Sequence, residues 1–435
     1  MSDWSMIDTW IVLTGMVIAM SCALVGNFLV IRRMSLMGDA ISHAVLPGLA
    51  VAFLLSGDRH PLPMFAGAVA AGLLTAFLTE WIRTNGRMEA DAAMGVIFTT
   101  LFAIGLLLIV RAADSVDLDP GCVLYGAIEL SPLDTVPVGP WEWPRAFAIG
   151  LVVLAINVVV IGLFYKELVL SSFDPEAAAA LGFKPRRIYY LLMALVAVTA
   201  VASFESVGSI LVIAMLIVPG VCGTLLARRL PGVLAASAVV AMLSAIGGHV
   251  MAIGIPPIFG FVDTSTSGSM AVAAGILFVG VFLVAPENGV LARWAHQRSL
   301  RDRIRCEDVL GALYRWHEEH GEKGPVVRWP ELAARIGLGP TQARRIRRLL
   351  RRNGLIGYVA DDAVHLTGEG KRQAAIVIRD HRLWEVYLHH QVQLPADHVH
   401  ATSEALEHLT SDGMRRRLER DATGASVDPH GKVIP

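Results

Sequence analysis

Nine apolar runs fill the first two thirds of the chain, each about the ~20 residues that a helix needs to cross a hydrocarbon core. They lie at about 9–31, 38–55, 62–82, 92–110, 146–165, 189–206, 208–227, 232–254 and 268–286. Such runs leave little choice of fold. In lipid no water is present to bond backbone N–H and C=O groups, so each run must satisfy them internally as a helix. The breaks between runs supply a direction. Arg32 and Arg33, Arg83 with Arg87, Lys166 with Arg186 and Arg187, Arg228 and Arg229, and Arg293 all fall in alternate loops. The loops between them hold fewer basic residues, such as Arg59 and Arg111. The positive-inside tendency then places the N-terminus outside and everything after Arg293 in the cytoplasm. A register shifted by one span would break that agreement. The narrowest division is Glu205-Ser206-Val207-Gly208, which leaves room for a tight turn at most. No basic stretch precedes the first run and no clear small-residue cleavage site follows it, so it reads as a retained span rather than a signal peptide.

Composition changes at about Arg293. The whole chain is 54% hydrophobic and 17% charged, yet its last third is rich in Arg, Glu and His, so the net charge of -1 averages two unlike parts. The expected fold class is an all-α polytopic membrane domain joined to a cytoplasmic, mainly α, winged helix-turn-helix domain with a further helical segment, to which the family resemblance of its residues assigns metal binding and dimerisation. The expected boundaries are 1–291 for the membrane domain, 292–303 for a linker, 304–372 for the winged helix and 373–435 for the final segment. Cys22, Cys122, Cys222 and Cys306 are scattered with no CxxC pair, which argues against both a disulfide framework and a thiolate zinc cluster. No GxxxxGK[ST] phosphate loop and no nucleophile–base set is present. The chain therefore reads as a non-enzyme; if transport uses ATP, hydrolysis belongs to a separate ATP-binding subunit.

Ionisable groups inside a bilayer are costly, and each one is a functional suspect. Asp39 and His43 sit in the second run at i, i+4, one turn apart on one helix face. A carboxylate and an imidazole so placed can share a divalent cation. A buried Asp–His hydrogen bond that fixes helix packing would explain the same pair. Glu205 and His249 read as structural, and Glu89 and Asp91 as acids favouring a helix N-terminus. The cytoplasmic loop "SFDPEAAAALGFKPRR" contains a short helix-forming stretch from Pro175 to Leu181, begun after Asp174 and ended by Gly182. It suits a docking knob for a soluble partner, or an ordinary surface helix.

The last third carries "VVRWPELAARIGLGPTQARRIRRLLRRNGLIGYV", a helix, a Gly-containing turn and a second helix. "DDAVHLTGEGKRQA" follows, with turn signals between β-prone runs that suit a wing. Thr341 and Gln342 stand where a recognition helix meets base edges, and Arg344, Arg345 and Arg348 suit phosphate contact. A solvated basic face, or one turned to anionic lipid, would need the same arginines. Further on, Glu404, Glu407 and His408 are spaced i, i+3, i+4; His381 and Glu385 are spaced i, i+4, and His400 lies just before the Glu404 helix. Carboxylates and imidazoles without thiolates suit Mn²⁺ or Fe²⁺, and Zn²⁺ less exclusively. An imidazole binds metal only when neutral, so metal affinity is expected to weaken as pH falls through about 6.5.

Four stretches of the membrane part, "MSLMGDAISHAVLPGLA", "DAAMGVIFTTLFAIG", "SFDPEAAAALGF" and "VGSILVIAMLIVPG", together resemble permease subunits of bacterial ABC importers for manganese, zinc and iron. That resemblance implies a bacterial plasma-membrane location, a homo- or heterodimeric pore with a second permease subunit, ATP-binding subunits and an extracytoplasmic metal-binding protein. It also implies that Asp39 and His43 lie on the metal path, and that the loop of Asp174, Glu176 and Gly182 meets the ATPase. In the last third, "HRLWE", "VHATSEALEHLTSDGMRRRLE" and "DPHGKVIP" resemble iron- and manganese-dependent repressors. By that resemblance Glu404, Glu407 and His408 belong to one metal site and His381, Glu385 and His400 to the other, and Asp308 matches a first-helix ligand of the manganese-type members. Gly311 stands where those members have a second carboxylate, and iron-type members have a cysteine where Glu404 stands. Two readings result. One is a permease for Mn²⁺, Fe²⁺ or Zn²⁺ carrying its own metal sensor. The other is a membrane-tethered, metal-dependent transcriptional regulator that binds DNA.

Overall fold

Ser5 starts the first helix. Its Oγ accepts the Asp8 N–H at 3.2 Å while the Asp8 carboxylate accepts the Ser5 N–H at 2.7 Å, a reciprocal cap that satisfies two donors a helix start leaves open. The helix it opens is α1 (Met6–Ile31). The computed structural model describes residues 4–56, 60–86, 88–113, 126–260, 264–321, 327–358, 362–422 and 425–435. Arg59, Arg87 and Cys122 lie outside these, as do the side chains of Arg111 and Glu205. The chain divides into two compact units, Met1–Arg293 and Trp294–Pro435.

In the first unit, α1 is followed by α2 (Met37–Ser56), α3 (Pro61–Gly86), α4 (Ala90–Ala113), a short hairpin of β1 (Thr135–Val138) and β2 (Trp141–Pro144), and α5 (Arg145–Leu163). Next come α6 (Tyr165–Phe173), α7 (Pro175–Ala180), α8 (Pro185–Leu226), α9 (Leu230–Gly254) and α10 (Thr266–Val284). Among the described residues nine helical segments are long and apolar enough to span a bilayer, and they coincide with the nine expected runs. The tight division expected near Glu205 is a kink inside α8, where Gly208 adopts φ 74°, ψ 170°.

α1 is the most buried of the spans, with Cys22, Ala23, Val25, Phe28 and Leu29 fully enclosed. Gly26 lets it meet α8 closely, since a Cβ there would lie 2.0 Å from the Leu216 carbonyl oxygen. Asn157 of α5 ties three helices together, donating to Ser21 Oγ at 2.8 Å and to Thr199 Oγ1 at 2.9 Å. Lipid tails are as apolar as Leu, so close small-residue contacts and interhelical hydrogen bonds, about 0.6–2 kcal/mol each, hold such a bundle.

The second unit holds most of α11 (Val290–His320), so residues 292–303 are helical. β3 (Val327–Arg328), α12 (Trp329–Arg335) and α13 (Pro340–Arg352) follow, then β4 (Ile356–Tyr358) and β5 (Ala363–Leu366). The strands form an antiparallel sheet in the order β3-β5-β4, the wing beside a helix-turn-helix. Gly337, at φ 72°, makes the turn between α12 and α13. Ala343, Ile346 and Leu350 bury one stripe of α13 against a core that includes Leu310, Leu313, Trp329, Leu332 and Val364. α14 (Gly368–His390), α15 (Val399–Glu407) and α16 (Asp412–Asp421) complete the unit. A smaller core of Leu383, Val386, Leu418 and Ala422 sits between α14 and α16, and the Arg415 guanidinium grips the Asp380 carboxylate at 2.6 and 2.8 Å.

Candidate metal centres

α14 places His381 and Glu385 one turn apart on its buried side, and the first turn of α15 brings His400 against them. His381 Nε2, Glu385 Oε1 and His400 Nδ1 form a triangle with sides of 3.1, 2.9 and 3.0 Å. At metal–ligand bonds of ~2.1 Å, adjacent ligands of an octahedral ion lie about 3.0 Å apart. A second cluster lies at the other end of α15. His408 Nε2 is 3.1 Å from Asp308 Oδ1 and 3.6 Å from Glu407 Oε1. Among the described residues, these are the two groups of three or more such side chains whose ligand atoms all converge within 4.8 Å.

Glu407 links the clusters. Its Oε1 faces His408, while its Oε2 lies 2.6 Å from His381 Nδ1. An imidazole that binds metal through one nitrogen needs an acceptor for the other, and that acceptor fixes its tautomer and orientation. Glu407 can do this for His381. Glu307 can do it for His408, with its Oε2 2.8 Å from Nδ1 and Arg303 steadying it from 2.7 Å on the same helix.

Four carboxylates, Glu307, Asp308, Glu385 and Glu407, thus surround three imidazoles. Burial pushes the Glu385 carboxyl up, but hydrogen bonds to His381 and His400 prevail and hold it at about 2. Burial also disfavours the charged His408, but Asp308 and Glu307 outweigh it and raise the imidazole to about 10. His381 is raised in the same way: burial opposes the charge, and Glu385 and Glu407 overcome it. Without metal, the imidazolium protons neutralise the acids. A divalent cation would take over that task, and the thiolate-free donor set fits Mn²⁺, Fe²⁺ or Zn²⁺.

Glu404, expected with Glu407 and His408, is exposed and belongs to neither cluster. Val399, Ser403 and Glu407 form the buried stripe of α15, and Glu404 is turned about 100° from Ser403, toward solvent. Asp308 lies in the second cluster. Glu307 was missed; its signal is that it adjoins Asp308 at the edge of the buried stripe of Val309, Leu310 and Leu313.

In the first unit, His43 Nε2 lies 3.3 Å from Asp39 Oδ1 on α2. The His43 ring stacks on Phe98 at 5.5 Å and meets Phe102 edge-on at 5.3 Å, both from α4. Both side chains are partly exposed, at 30% and 32%. Asp174 caps α7 by accepting the Ala177 N–H at 2.9 Å, and Glu176 sits exposed in the first turn. Gly182 ends the helix at φ 86° as its N–H bonds the Ala179 carbonyl and the Phe183 N–H bonds that of Ala178, both at 3.0 Å.

On α13, Thr341, Gln342, Arg344 and Arg348 are exposed. Arg345, expected with them, is instead half-buried and paired with Asp302 of α11. Its position lies next to the buried stripe residue Ile346, which turns it toward α11.

Comparison with known proteins agrees with this two-part construction. Residues 6–285 match the ABC 3 transport family, and residues 367–435 match the iron dependent repressor, metal binding and dimerisation domain. The manganese transport system membrane protein MntD of Bacillus subtilis (strain 168) is 44% identical over 287 residues, which span 66% of this chain and 95% of that one. The zinc transport system membrane protein TroD of Treponema pallidum (strain Nichols) is 38% identical over 291 residues, 67% of this chain and 77% of that one. Among solved structures, PsaBC from Streptococcus pneumoniae in complex with Fab aligns with TM-score 0.53 and 31% identity, covering 64% of this chain and 92% of that one. The chain is a multi-pass membrane protein that belongs to the ABC 3 transport family, with a metal-dependent-repressor-like domain joined behind its permease domain.

Proposed function

We propose that this chain is the permease subunit of an ATP-driven importer for a divalent transition metal, Mn²⁺ first among the candidates, and that its second unit senses cytoplasmic metal and restrains transport. The observation that carries the reading is one chain holding both an Asp–His pair on a bilayer helix and, in a separate unit, two convergent clusters of imidazoles and carboxylates. Alternate-loop basic residues support an outside N-terminus and a cytoplasmic second unit. The manganese transport relatives support the choice of cargo. An ATP-binding subunit, an extracytoplasmic metal-binding protein and a second permease subunit complete the assembly.

The ATP-binding subunit docks on α7. Gly182→Pro cannot keep φ 86° or the N–H bond to Ala179, so the knob loses its end. The variant is expected to retain its nine spans while ATP hydrolysis no longer drives uptake, measured as metal taken up per ATP cleaved. Wild-type coupling in that variant would remove α7 from the contact.

Metal titration of the full chain in detergent tests the sensor. His408 must lose its proton to bind, and that proton is held up to about 10. Affinity should therefore keep rising between pH 6.5 and 9, by about tenfold per unit for each proton displaced, instead of levelling off above 6.5. Without metal the sign reverses: the raised imidazole stabilises the fold fully below about 6.5, and that contribution fades as pH climbs through about 10. His408→Ala should lose its cluster's binding at every pH. Equal binding by both proteins would mean the cluster is only a structural ion network.

A second reading rests on the exposed face of Thr341, Gln342, Arg344 and Arg348: the metal signal reaches DNA instead of the permease.

A further inference from the structure

A basic pocket opens between the ends of α1, α3 and α6 and the start of α8, at the end of the bundle proposed to face the cytoplasm. Its volume is about 440 Å³. Arg32, Arg33, Arg83 and Arg186 line it, against one carboxylate among the described residues, Glu80.

Glu80 neutralises only one of the four. Its two oxygens accept from Arg83 Nε at 2.8 Å and from Nη2 at 2.7 Å, a bidentate pair within α3. Arg32, Arg33 and Arg186 form no ion pair among the described residues. Arg32 has the greatest need of one. Its half-buried guanidinium donates to Ser172 Oγ at 3.0 Å and to Ser171 Oγ at 2.7 Å. Hydroxyls orient a cation without neutralising it. Burial disfavours that charge and lowers the group's pKa, and Tyr189 and Glu80 offset this only in part. Buried charges are ordinarily paired.

Arg33 is fixed beside it by the end of α1. The Met34 N–H bonds the Leu29 carbonyl at 2.9 Å and the Arg33 N–H bonds that of Val30 at 3.0 Å, with Arg33 at φ 58°. A left-handed position that favours glycine thus carries an arginine. Aromatic rings mark the depth of the pocket. Trp81, the chain neighbour of Glu80, is 52% exposed, and the Arg186 guanidinium stands 6.0 Å from the centre of the Tyr190 ring. Trp and Tyr gather at the headgroup level of a bilayer.

We propose that this pocket binds the phosphodiester headgroup of an anionic phospholipid from the cytoplasmic leaflet, with Arg32, Arg33 and Arg186 as its cationic partners. Basic pockets between spans on that side of a membrane suit such headgroups. A zwitterionic lipid brings its own cation and would leave the excess of positive charge standing. Pro175, the first residue of α7, also lines the pocket, so a bound headgroup joins the bundle to the segment that carries the docking helix.

The test titrates the full chain, delipidated in detergent, with phosphatidylglycerol and with phosphatidylcholine of the same acyl chains, counting bound lipid by native mass spectrometry. Phosphatidylglycerol should bind more tightly. Arg32→Gln and Arg186→Gln should each weaken its binding by about fivefold, the equivalent of ~1 kcal/mol per basic residue. Arg186 is exposed, so its variant stays informative even if Arg32→Gln is less stable. Arg187→Gln removes an equal charge just outside the pocket and should change nothing. Equal affinity for the two lipids, or an equal loss in Arg187→Gln, would overturn the site. Displacement of phosphatidylglycerol by an equal concentration of inorganic phosphate would make free phosphate the ligand and overturn the lipid assignment. If the Arg32 and Arg186 variants bind phosphatidylglycerol as the wild type does but no longer co-purify with the ATP-binding subunit, the pocket belongs to that contact and the proposal falls.

Discussion

Asp39→Ala and His43→Ala should each lower metal uptake by at least ~10–100-fold while the complex still assembles. The two side chains are the whole of a two-donor pair on α2, 3.3 Å apart, and no third His, Cys, Asp or Glu joins them among the described residues. A site with few protein ligands is sensitive to each, and losing one costs no less than losing an outer-shell partner. Assembly should survive because the packing of α2 rests on other residues. Met37, Ala40, Ile41 and Ala44 bury its inner side, and the Phe98 and Phe102 rings would close on a smaller neighbour at position 43. The check is uptake of radiolabelled manganese by proteoliposomes containing the permease, its ATP-binding subunit and its metal-binding protein. Normal uptake by both variants would leave the pair as a helix-packing hydrogen bond. Asp39→Asn separates charge from shape: it keeps the side-chain volume and should lose uptake nearly as completely as alanine.

The second large effect concerns Glu407. It offers Oε1 to the His408 cluster and holds His381 of the other through Oε2, so Glu407→Ala strikes both clusters with one substitution. A ligand can shift a conformational equilibrium only by its differential affinity for the two states. If metal in the second unit restrains the permease, removing both sites should make uptake indifferent to cytoplasmic metal, moving the inhibitory concentration upward by ~10–100-fold or more. His408→Ala spares the His381 cluster and should give a partial shift.

The parts of this architecture that were legible in the sequence were set by short-range rules. Hydrocarbon thickness and backbone hydrogen bonding determine where a span can be, so the nine runs matched nine helical segments, down to the kink at Gly208. Pairs at i, i+4, such as Asp39 with His43 and His381 with Glu385, become neighbours as soon as the helix forms. Spacing does not say which stripe of a helix is buried. Glu404 fitted the spacing of a ligand, but the packing of Val399, Ser403 and Glu407 turned it to solvent. Arg345 fitted a phosphate-binding row, but Asp302, 43 residues earlier, claimed it. Glu307 was missed for the same reason: its partner His408 lies 101 residues away, and only its place beside Asp308 hints at the meeting.

Feedback is the central claim, and one ratio tests it most directly. Proteoliposomes are loaded with ATP and with either a chelator or free Mn²⁺, so that the lumen stands for the cytoplasm, and initial uptake of labelled metal is compared between the two. For the wild type, uptake should be markedly slower with luminal Mn²⁺ than with chelator. For Glu407→Ala the two rates should be equal. The same ratio in both proteins, whether slowed or not, would contradict the claim that these clusters govern the permease, and would leave DNA as the recipient of the metal signal.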